Sequence, residues 1–177
     1  MTTVNAMTDS PRTVTVQDSE GYAPRMTLEI PGAWSEVSDA GPVLAAYSDD
    51  RSLSPAIASN VVLSALTLTE DLDLATWQGA VREVQMSTLP DLQVIDDRPV
   101  VGPDGTEQWY TSSVMTDQNG ATVLTRRWNR VVRDRGITLT LTTVPMVDAQ
   151  HADLFDAIAA SWRVFDPAEN GDSVDHP

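Results

Sequence analysis

The sequence predicts an α+β domain in which an antiparallel β-sheet is sandwiched between amphipathic helices, an α/β/α arrangement. Three observations lead to this prediction: a long run of extended segments over residues 106–144, an amphipathic helix before it over residues 72–89, and a second after it over residues 149–162. Because each helix has one apolar stripe and one polar side, both are expected to pack on the sheet.

The central run is a predicted β-meander. In its last segment Ile137, Leu139 and Leu141 alternate with threonines. A period of two places successive side chains on opposite faces of a strand, so the three apolar residues share one face. One face of the sheet is therefore expected to be buried.

Two turns should connect the meander. Asn119-Gly120 is typical of a two-residue hairpin turn, because both residues tolerate positive φ. The register set by that turn would place Arg130 opposite Trp109, in a cation–π contact. The second turn is expected at residues 134–136.

An opening hairpin is predicted ahead of the meander. Residues 13–16 and 26–30 alternate between apolar and polar side chains, and Pro31 ends the second strand because proline cannot donate to a ladder. Trp34 is then expected at the rim of the core.

Two further strands are predicted on either side of the first helix. Residues 60–68 are almost continuously apolar, which is typical of a central strand covered on both faces. Residues 92–101 contain Asp96, Asp97 and Pro99 and fit an edge or bent strand better than a central one.

The helix boundaries carry their own signals. Asp71 or Asp73 can cap the first helix, which Pro90 ends, and Asp148 is the expected N-cap of the second. The apolar stripes at helical spacing are Leu74, Trp77, Val81 and Val84 in the first helix, and Leu154, Phe155, Ile158, Ala159 and Trp162 in the second.

The length of 177 residues, with 41% hydrophobic content, fits one domain with a proper core. We expect that domain over residues 13–165. Residues 1–12 have no apolar periodicity, and residues 166–177 are polar and acidic, with no Lys or Arg. Both ends are therefore predicted to be disordered.

Composition narrows the possible functions. The chain has no cysteine, which excludes disulfides, thiolate metal sites and cysteine nucleophiles. All eleven basic residues are arginine, which excludes lysine-based catalysis and phosphate-loop lysines. A net charge of −15 argues against nucleic acid and against anionic membrane surfaces.

No apolar run approaches the length of a membrane span, and residues 1–12 lack the pattern of a signal peptide. A cytoplasmic location is therefore the expectation. A chain from which an export segment had been removed would give the same sequence.

Candidate catalytic and metal sites are sparse. Asp71 and Asp73 follow an apolar strand, as the nucleophile and acid of a haloacid-dehalogenase-type phosphotransferase would, but the chain has no lysine to hold the phosphoryl group. Stabilisation of a helix N-terminus explains them better. His151 and His176 have no second histidine or cysteine at ligand spacing. We expect no catalytic residue, no metal and no cofactor.

Binding candidates lie in the meander. Five of the eleven arginines fall within residues 126–135, and two tryptophans lie on neighbouring strands. Two interpretations stay open: structural pairing with acidic neighbours, which the alternation along the strand favours, and an aromatic binding surface at an open edge of the sheet. The candidate partner-binding residues are Trp109, Trp128, Arg126, Arg127 and Arg130.

Four segments in this order resemble the PsbP-like fold, and more closely the actinobacterial LpqN family of lipoproteins within it. The segments are Leu28-Glu29-Ile30-Pro31-Gly32-Ala33-Trp34, Asn60-Val61-Val62-Leu63-Ser64, the meander from Trp109 to Val144, and the stretch from Leu154 to Val164. The resemblance implies an antiparallel sheet between helices, with no catalytic motif and no cofactor. The lipid-modified cysteine of the LpqN family is absent here.

Members of the wider fold serve as accessory proteins: a photosystem subunit, a Ran-binding import factor and chaperones of secreted effectors. The resemblance therefore implies a non-enzymatic, chaperone-like module that binds a protein or peptide partner. The alternatives are a carrier that holds a small apolar ligand between sheet and helix, and an enzyme whose residues the sequence does not reveal.

Overall fold

The computed structural model describes residues 10–18, 21, 23–49, 57–69, 72–89 and 91–165. Within these residues, ten strands and two helices form an α+β fold, as the sequence predicts. The elements in chain order are β1 (Pro11–Val16), β2 (Arg25–Pro31), β3 (Trp34–Glu36), β4 (Ala45–Asp49), β5 (Asn60–Thr67), α1 (Leu74–Thr88), β6 (Gln93–Val101), β7 (Glu107–Thr116), β8 (Thr122–Val132), β9 (Arg135–Thr143), α2 (Pro145–Ser161) and β10 (Arg163–Phe165).

The described strands form two antiparallel sheets. The large sheet has seven strands in the order β3-β4-β5-β9-β8-β7-β6, and the small sheet has three in the order β1-β2-β10. The predicted meander is confirmed as β7, β8 and β9, which pair consecutively. Helix α2 and the small sheet share a core with one face of the large sheet, here called the front face, and α1 contacts the opposite, back face.

The front face holds the main core. Leu139 and Ile137 on β9 are completely buried, as are Phe155 and Trp162 at the far side of that core. Trp34 is 1% exposed and belongs to the interior rather than to the rim where the sequence predicts it. The dense packing of these aromatic and aliphatic side chains provides most of the apolar burial.

The back face holds a second, smaller cluster under α1. Leu68, Leu74 and Trp77 are its buried members. The Trp77 indole lies directly on Gly136, where a Cβ atom would stand 2.6 Å from Trp77 Cζ2. Gly136 is thus needed for the close approach of the helix to β9.

Helix α1 begins at Leu74, and Asp73 is its N-cap. The Asp73 carboxylate accepts a hydrogen bond of 2.7 Å from the backbone N–H of Thr76. One of the two expected caps is therefore confirmed, and the other, Asp71, lies outside the described residues, as does Pro90. The cap hydrogen bonds hold the pKa of Asp73 below its usual value.

Strand β5 is central in the sheet, as predicted, but the described residues bury it fully on one face only. Val61 and Leu63 on the front face are 1% exposed. On the back face Val62 and Ser64 are half-buried and Leu66 is 43% exposed. The expectation of full cover on both faces was wrong because α1 crosses β7 and β8 instead.

The start of α2 also differs from the prediction. The helix begins at Pro145, which suits a first helical position, and Asp148 lies in its first turn instead of capping it. The Asp148 carboxylate pairs with Arg126. At His151 the backbone leaves helical geometry, with φ −129° and ψ 24°, so the helix is kinked there.

The first meander turn is one residue longer than Asn-Gly predicts. The Asp117 N–H donates to the Ala121 carbonyl, and Gly120 has φ +81°. The Asp117 carboxylate accepts from the N–H groups of Asn119 and Ala121 at 2.9 and 2.8 Å, which stabilises the longer loop. The register of β7 on β8 therefore shifts by one residue.

The second turn lies one residue earlier than predicted. Val132 pairs with Arg135, so the loop residues are Arg133 and Asp134. Arg133 adopts the positive φ of 57°, and Gly136 belongs to β9.

The edge assignment of β6 is confirmed, and so is its irregularity. The strand lies at one end of the large sheet, and its register on β7 shifts between Val94 and Asp96. A bulge, a proline and charged side chains are all devices that protect a sheet edge from unwanted pairing.

The predicted disordered ends fall largely outside the described residues, which omit 1–9 and 166–177. Pro11 and Arg12, which the sequence assigned to the lead, belong to β1, and the Arg12 guanidinium donates to the Trp34 carbonyl at 2.8 Å. In the part of the chain that the structure describes, neither helix has the length and apolar character needed to cross a membrane.

Candidate functional site

The observed register separates the two candidate tryptophans. Trp109 pairs with Asn129, and Tyr110 pairs with Trp128. Paired residues point to the same face of a sheet, while consecutive residues point to opposite faces. Trp128 and Tyr110 therefore lie on the front face and Trp109 on the back face, so Trp109 and Trp128 do not form one aromatic surface.

Tyr110 and Trp128 form the floor of an open groove between the sheet and α2, here called the aromatic groove. Their ring centroids are 5.2 Å apart, with the planes tilted by 46°. The groove has a volume of about 430 Å³. It exists because α2 presents the small side chains of Ala159 and Ala160 to this part of the sheet. Its charged lining residues are Asp96, Arg98, Arg126 and Asp156.

Arg126 forms one wall of the aromatic groove and ties β8 to α2. Its guanidinium donates to Asp148 at 2.7 Å and to Asp156 at 2.8 Å. Burial works against the charge, but the hydrogen bond and the charge of Asp148 outweigh it, so the pKa of Arg126 lies above its ordinary value. Both terminal nitrogens of Arg126 are therefore engaged in structural ion pairs, as the pairing interpretation predicts.

Arg98 forms the outer wall of the aromatic groove. Its side chain is 59% exposed and pairs with Asp96 at 2.9 Å. Its guanidinium carbon lies 5.8 Å from the centroid of Tyr110. Burial raises the pKa of Tyr110, although the charge of Arg126 opposes that shift. Arg98 was absent from the sequence-based candidates, and only its place two residues from Asp96 on an edge strand could have indicated it.

Arg130 belongs to the core. It is 1% exposed, donates to the Asp104 carboxylate at 2.7 Å and lies over Trp162. The Gln108 amide, oriented so that its oxygen faces the guanidinium, accepts from Arg130 Nε at 3.2 Å. The predicted contact between Arg130 and Trp109 was wrong, because the one-residue shift in register places the two side chains on opposite faces.

Trp109 belongs to the cluster under α1. Its ring is half-buried against the smaller core, and its indole N–H donates to the Asp97 carboxylate at 2.5 Å. The same carboxylate accepts from Thr111 and from Arg82 on α1. These contacts give Trp109 a structural role.

Arg127, the last candidate, also lies on the back face, between Thr111 on β7 and Thr140 on β9. Among the described residues no carboxylate or carbonyl accepts from its guanidinium, and its Nε atom is buried. The five candidates are therefore dispersed: Trp128 and Arg126 line the aromatic groove, Arg130 lies in the core, and Trp109 and Arg127 lie on the back face.

The described residues contain no group of three or more His, Cys, Asp or Glu side chains that could hold a metal ion. Asp73, half of the acidic pair weighed as a phosphotransferase site, is engaged as the cap of α1.

Comparison with solved structures shows a PsbP/Mog1-like fold. Cyanobacterial PsbP from Synechocystis sp. PCC 6803 is similar with a TM-score of 0.60 and 17% identity, over 90% of this chain and 96% of that chain. LpqN of Mycobacterium tuberculosis, described as involved in cell envelope biogenesis, is similar with a TM-score of 0.61 and 18% identity, over 88% and 92%. A Mog1 variant is similar with a TM-score of 0.54 and 13% identity, over 90% and 100%.

The chain matches no protein-family model and no curated protein sequence. At the identities found, similarity to the solved structures establishes the fold alone.

Proposed function

We propose that this protein is a non-enzymatic interaction module that binds a protein or peptide partner in the aromatic groove. The observation that carries the proposal is the Tyr110–Trp128 pair on the floor of an open groove beside a sheet edge. Aromatic residues in such positions contribute disproportionately to protein–protein binding. The structural relatives also contain LpqN, and we propose a place for this chain near the LpqN-like proteins.

The lining of the aromatic groove suits a segment of polypeptide. An apolar side chain of the partner would pack on Tyr110 and Trp128, while the arginines and aspartates around the floor supply hydrogen-bonding groups of both signs. An apolar centre within a polar rim is the usual arrangement of a protein interface.

The edge strand extends this surface. Val101 lies beside the aromatic groove and is 73% exposed, and Ile95 at the bulge is 61% exposed. Both side chains could be covered by a partner that approaches along β6.

A carrier of a small apolar ligand, the alternative function, finds less support. That function needs an enclosed cavity between the sheet and α2. The aromatic groove is open and its rim is charged, and the interior beneath α2 is filled by Leu139, Phe155 and Trp162, each 0% exposed.

Site-specific photo-crosslinking tests the proposal. A photoreactive amino acid at position 98, on the outer wall of the aromatic groove and on the same face as Tyr110, should capture a discrete partner in cells of the source organism. The same amino acid at Met86, which is 56% exposed on α1 on the other side of the sheet, is the matched control. Equal yields at the two positions, or no adduct at position 98, would contradict the proposal.

The captured partner then permits a binding test with purified protein. Arg98→Glu changes an exposed side chain and should leave stability within about 0.5 kcal/mol. It should nevertheless weaken binding, because the substituted carboxylate stands at the rim of the aromatic groove beside Asp96. The cytoplasmic location expected from the sequence stays a prediction, which fractionation of source cells would test.

A further inference from the structure

Helix α2 borders a second groove, on the side where it packs against the small sheet. Two cavities of about 470 and 220 Å³ lie side by side there, and Glu29 and Ala157 line both of them. The aromatic groove, by contrast, lies between α2 and the large sheet. The two cavities therefore form one continuous depression, which we call the outer groove.

The two ends of the outer groove differ in chemistry. One end is apolar, and its lining residues other than Glu29 and Ala157 are Pro11, Ile30, Pro31, Leu154 and Ile158. The other end carries the hydroxyl groups of Thr13, Thr27 and Ser161. An apolar side chain that entered the first end would be removed from water, which favours binding. A polar or charged neighbour of that side chain would find hydrogen-bonding groups at the second end.

The walls of the outer groove are fixed to one another. The Glu29 N–H donates to Ser161 Oγ at 2.9 Å, and the Ser161 hydroxyl donates to the Ile158 carbonyl at 2.6 Å. These hydrogen bonds join the end of α2 to the middle of β2. Ala157, one turn earlier, is exposed and presents only a methyl group. The outer groove is thus already open in the folded protein, and binding would need no rearrangement of its walls.

Carboxylates dominate the exposed charge around the outer groove. Glu29 lies where the two cavities meet, and Asp153 lies one helical turn before Ala157 on α2. Both side chains are exposed, and within the described residues neither carboxylate takes part in a hydrogen bond or an ion pair. Arg163 also lines the groove, but its guanidinium donates to two carbonyls at the C-terminal end of α2, at 2.7 and 3.0 Å. The unengaged charge at the groove is therefore negative.

A basic partner fits this arrangement best. The whole chain carries a net charge of −15, so its field attracts cations and repels a second copy of itself. An exposed carboxylate beside an apolar cavity can pair with a lysine or arginine while a neighbouring apolar side chain of the same segment fills the cavity.

We propose that the outer groove binds a basic segment of a partner protein, with an apolar side chain in the Leu154 end and a lysine or arginine paired with Glu29. The outer groove is separate from the aromatic groove, so this inference stands or falls independently of the proposed function.

A displayed library of short random peptides tests the proposal, with the full chain as the target. Ala157→Leu should block the outer groove, because the larger side chain would occupy the junction of the two cavities. The matched control is Ala149→Leu, at an exposed position of α2 that lines neither groove. Leucine suits an exposed helical position, so both variants should unfold at the wild-type temperature.

Peptides that bind the wild type and Ala149→Leu but not Ala157→Leu should carry lysine or arginine beside an apolar residue. If no peptide showed this selectivity, or if the selective peptides lacked basic residues, the proposal would be overturned.

Titration of one selected peptide separates the outer groove from general electrostatic attraction. Glu29→Gln keeps the shape of the side chain but removes its charge, and should weaken binding about threefold to fivefold, as expected for one exposed ion pair. Glu83→Gln makes the same change in net charge at an exposed position of α1 and should leave the affinity unchanged. Equal losses in the two variants would mean that only the net charge of the chain attracts the peptide, which would overturn the proposal.

The oligomeric state tests the competing occupant, a second copy of this chain. In analytical ultracentrifugation the wild type should have the same mass as Ala157→Leu, because two copies with a charge of −15 repel each other. A wild-type dimer that Ala157→Leu dissociates would overturn the proposal and place a second copy in the outer groove.

Discussion

The guanidinium carbon of Arg130 lies 4.4 Å from the centroid of the Trp162 ring, and Arg130 Nη2 also donates to the Trp162 carbonyl at 3.3 Å. This contact joins the middle of the meander to the end of α2, where Trp162 is the C-cap residue. Asp104, in the turn between β6 and β7, neutralises the buried charge. One arginine therefore fixes three separate parts of the chain around the core.

Removing the Asp104 carboxylate tests how much the ion pair with Arg130 contributes to the stability of the fold. Asp104→Ala leaves the guanidinium of Arg130, 1% exposed, without its carboxylate, and should lower the free energy of unfolding by about 3–5 kcal/mol. Asp96→Ala breaks the exposed pair with Arg98 and should change it by no more than about 1 kcal/mol. Urea denaturation of both variants measures the difference. Similar losses in the two variants would mean that burial of the pair is unimportant.

The same pair should make stability depend on pH in the acid range. Partial burial alone would raise the pKa of Asp104, but hydrogen bonds from Arg130 and the Thr106 N–H outweigh it, so the pKa lies below its usual value. A carboxylate with a lowered pKa stabilises the folded state while it is ionised. This contribution is full above the unfolded pKa of about 4 and disappears as the pH falls through the folded value.

Asp104→Asn cannot titrate, so it isolates this contribution. The difference in free energy of unfolding between wild type and Asp104→Asn should be constant near neutral pH and should shrink as the pH falls below about 4. Urea melts at a series of pH values would show it. If the difference in free energy of unfolding grew towards acid pH, the pKa of Asp104 would be raised by folding and not lowered, which would contradict the ion pair with Arg130.

Two glycine substitutions should have opposite effects. Gly136→Ala would place a Cβ atom 2.6 Å from Trp77 Cζ2, which forces either α1 or β9 to move, and a loss of about 1–3 kcal/mol is expected for such overpacking. Gly79→Ala on α1 meets nothing within 4 Å and should stabilise the protein by about 0.4–1 kcal/mol, because alanine favours a helix. Thermal unfolding compares them. A tolerated Gly136→Ala would show that α1 is not fixed against β9.

The sequence predicted the fold well because its main signals are periodic. The alternation around Leu139 and the helical stripe containing Phe155 both report which side chains face a core, and both side chains are completely buried. The helix boundaries were predicted less accurately: Asp148 was the expected N-cap of the second helix, but α2 begins at Pro145 with Val144 as its N-cap. Proline and aspartate are both good residues for a first turn, and the sequence alone does not decide between them.

The candidate site was harder to predict, because one residue of register reverses every side chain of a strand. The loop that Asp117 stabilises moved Trp109 from its expected place opposite Arg130 to a place opposite Asn129. The aromatic pair on the front face is consequently Tyr110 with Trp128. The small side chains of α2 that open the aromatic groove are adjacent to it only in three dimensions, so no pattern along the chain indicated them.

Trp109 and Tyr110 are consecutive in sequence and lie on opposite faces, so a pair of alanine variants separates folding from binding. Trp109→Ala removes a half-buried ring from the cluster under α1 and should lower the free energy of unfolding by about 2–3 kcal/mol, somewhat less than a fully buried ring would. It should leave the affinity for a partner captured at position 98 unchanged. Tyr110→Ala removes half of the floor of the aromatic groove and should weaken that affinity by about 2 kcal/mol or more, roughly 30-fold.

Calorimetric titration of the captured partner into each folded variant measures both affinities at one temperature. Because the two substitutions are one residue apart and each removes a large aromatic ring, a general loosening of β7 would weaken binding in both. Loss of binding in Tyr110→Ala alone therefore assigns the partner to the front face. If Trp109→Ala weakened binding of the partner as much as Tyr110→Ala, the aromatic groove would not be the binding surface. The edge strand β6 would then be the binding surface instead, because Trp109 pairs with Pro99 and Tyr110 with Arg98 on that strand.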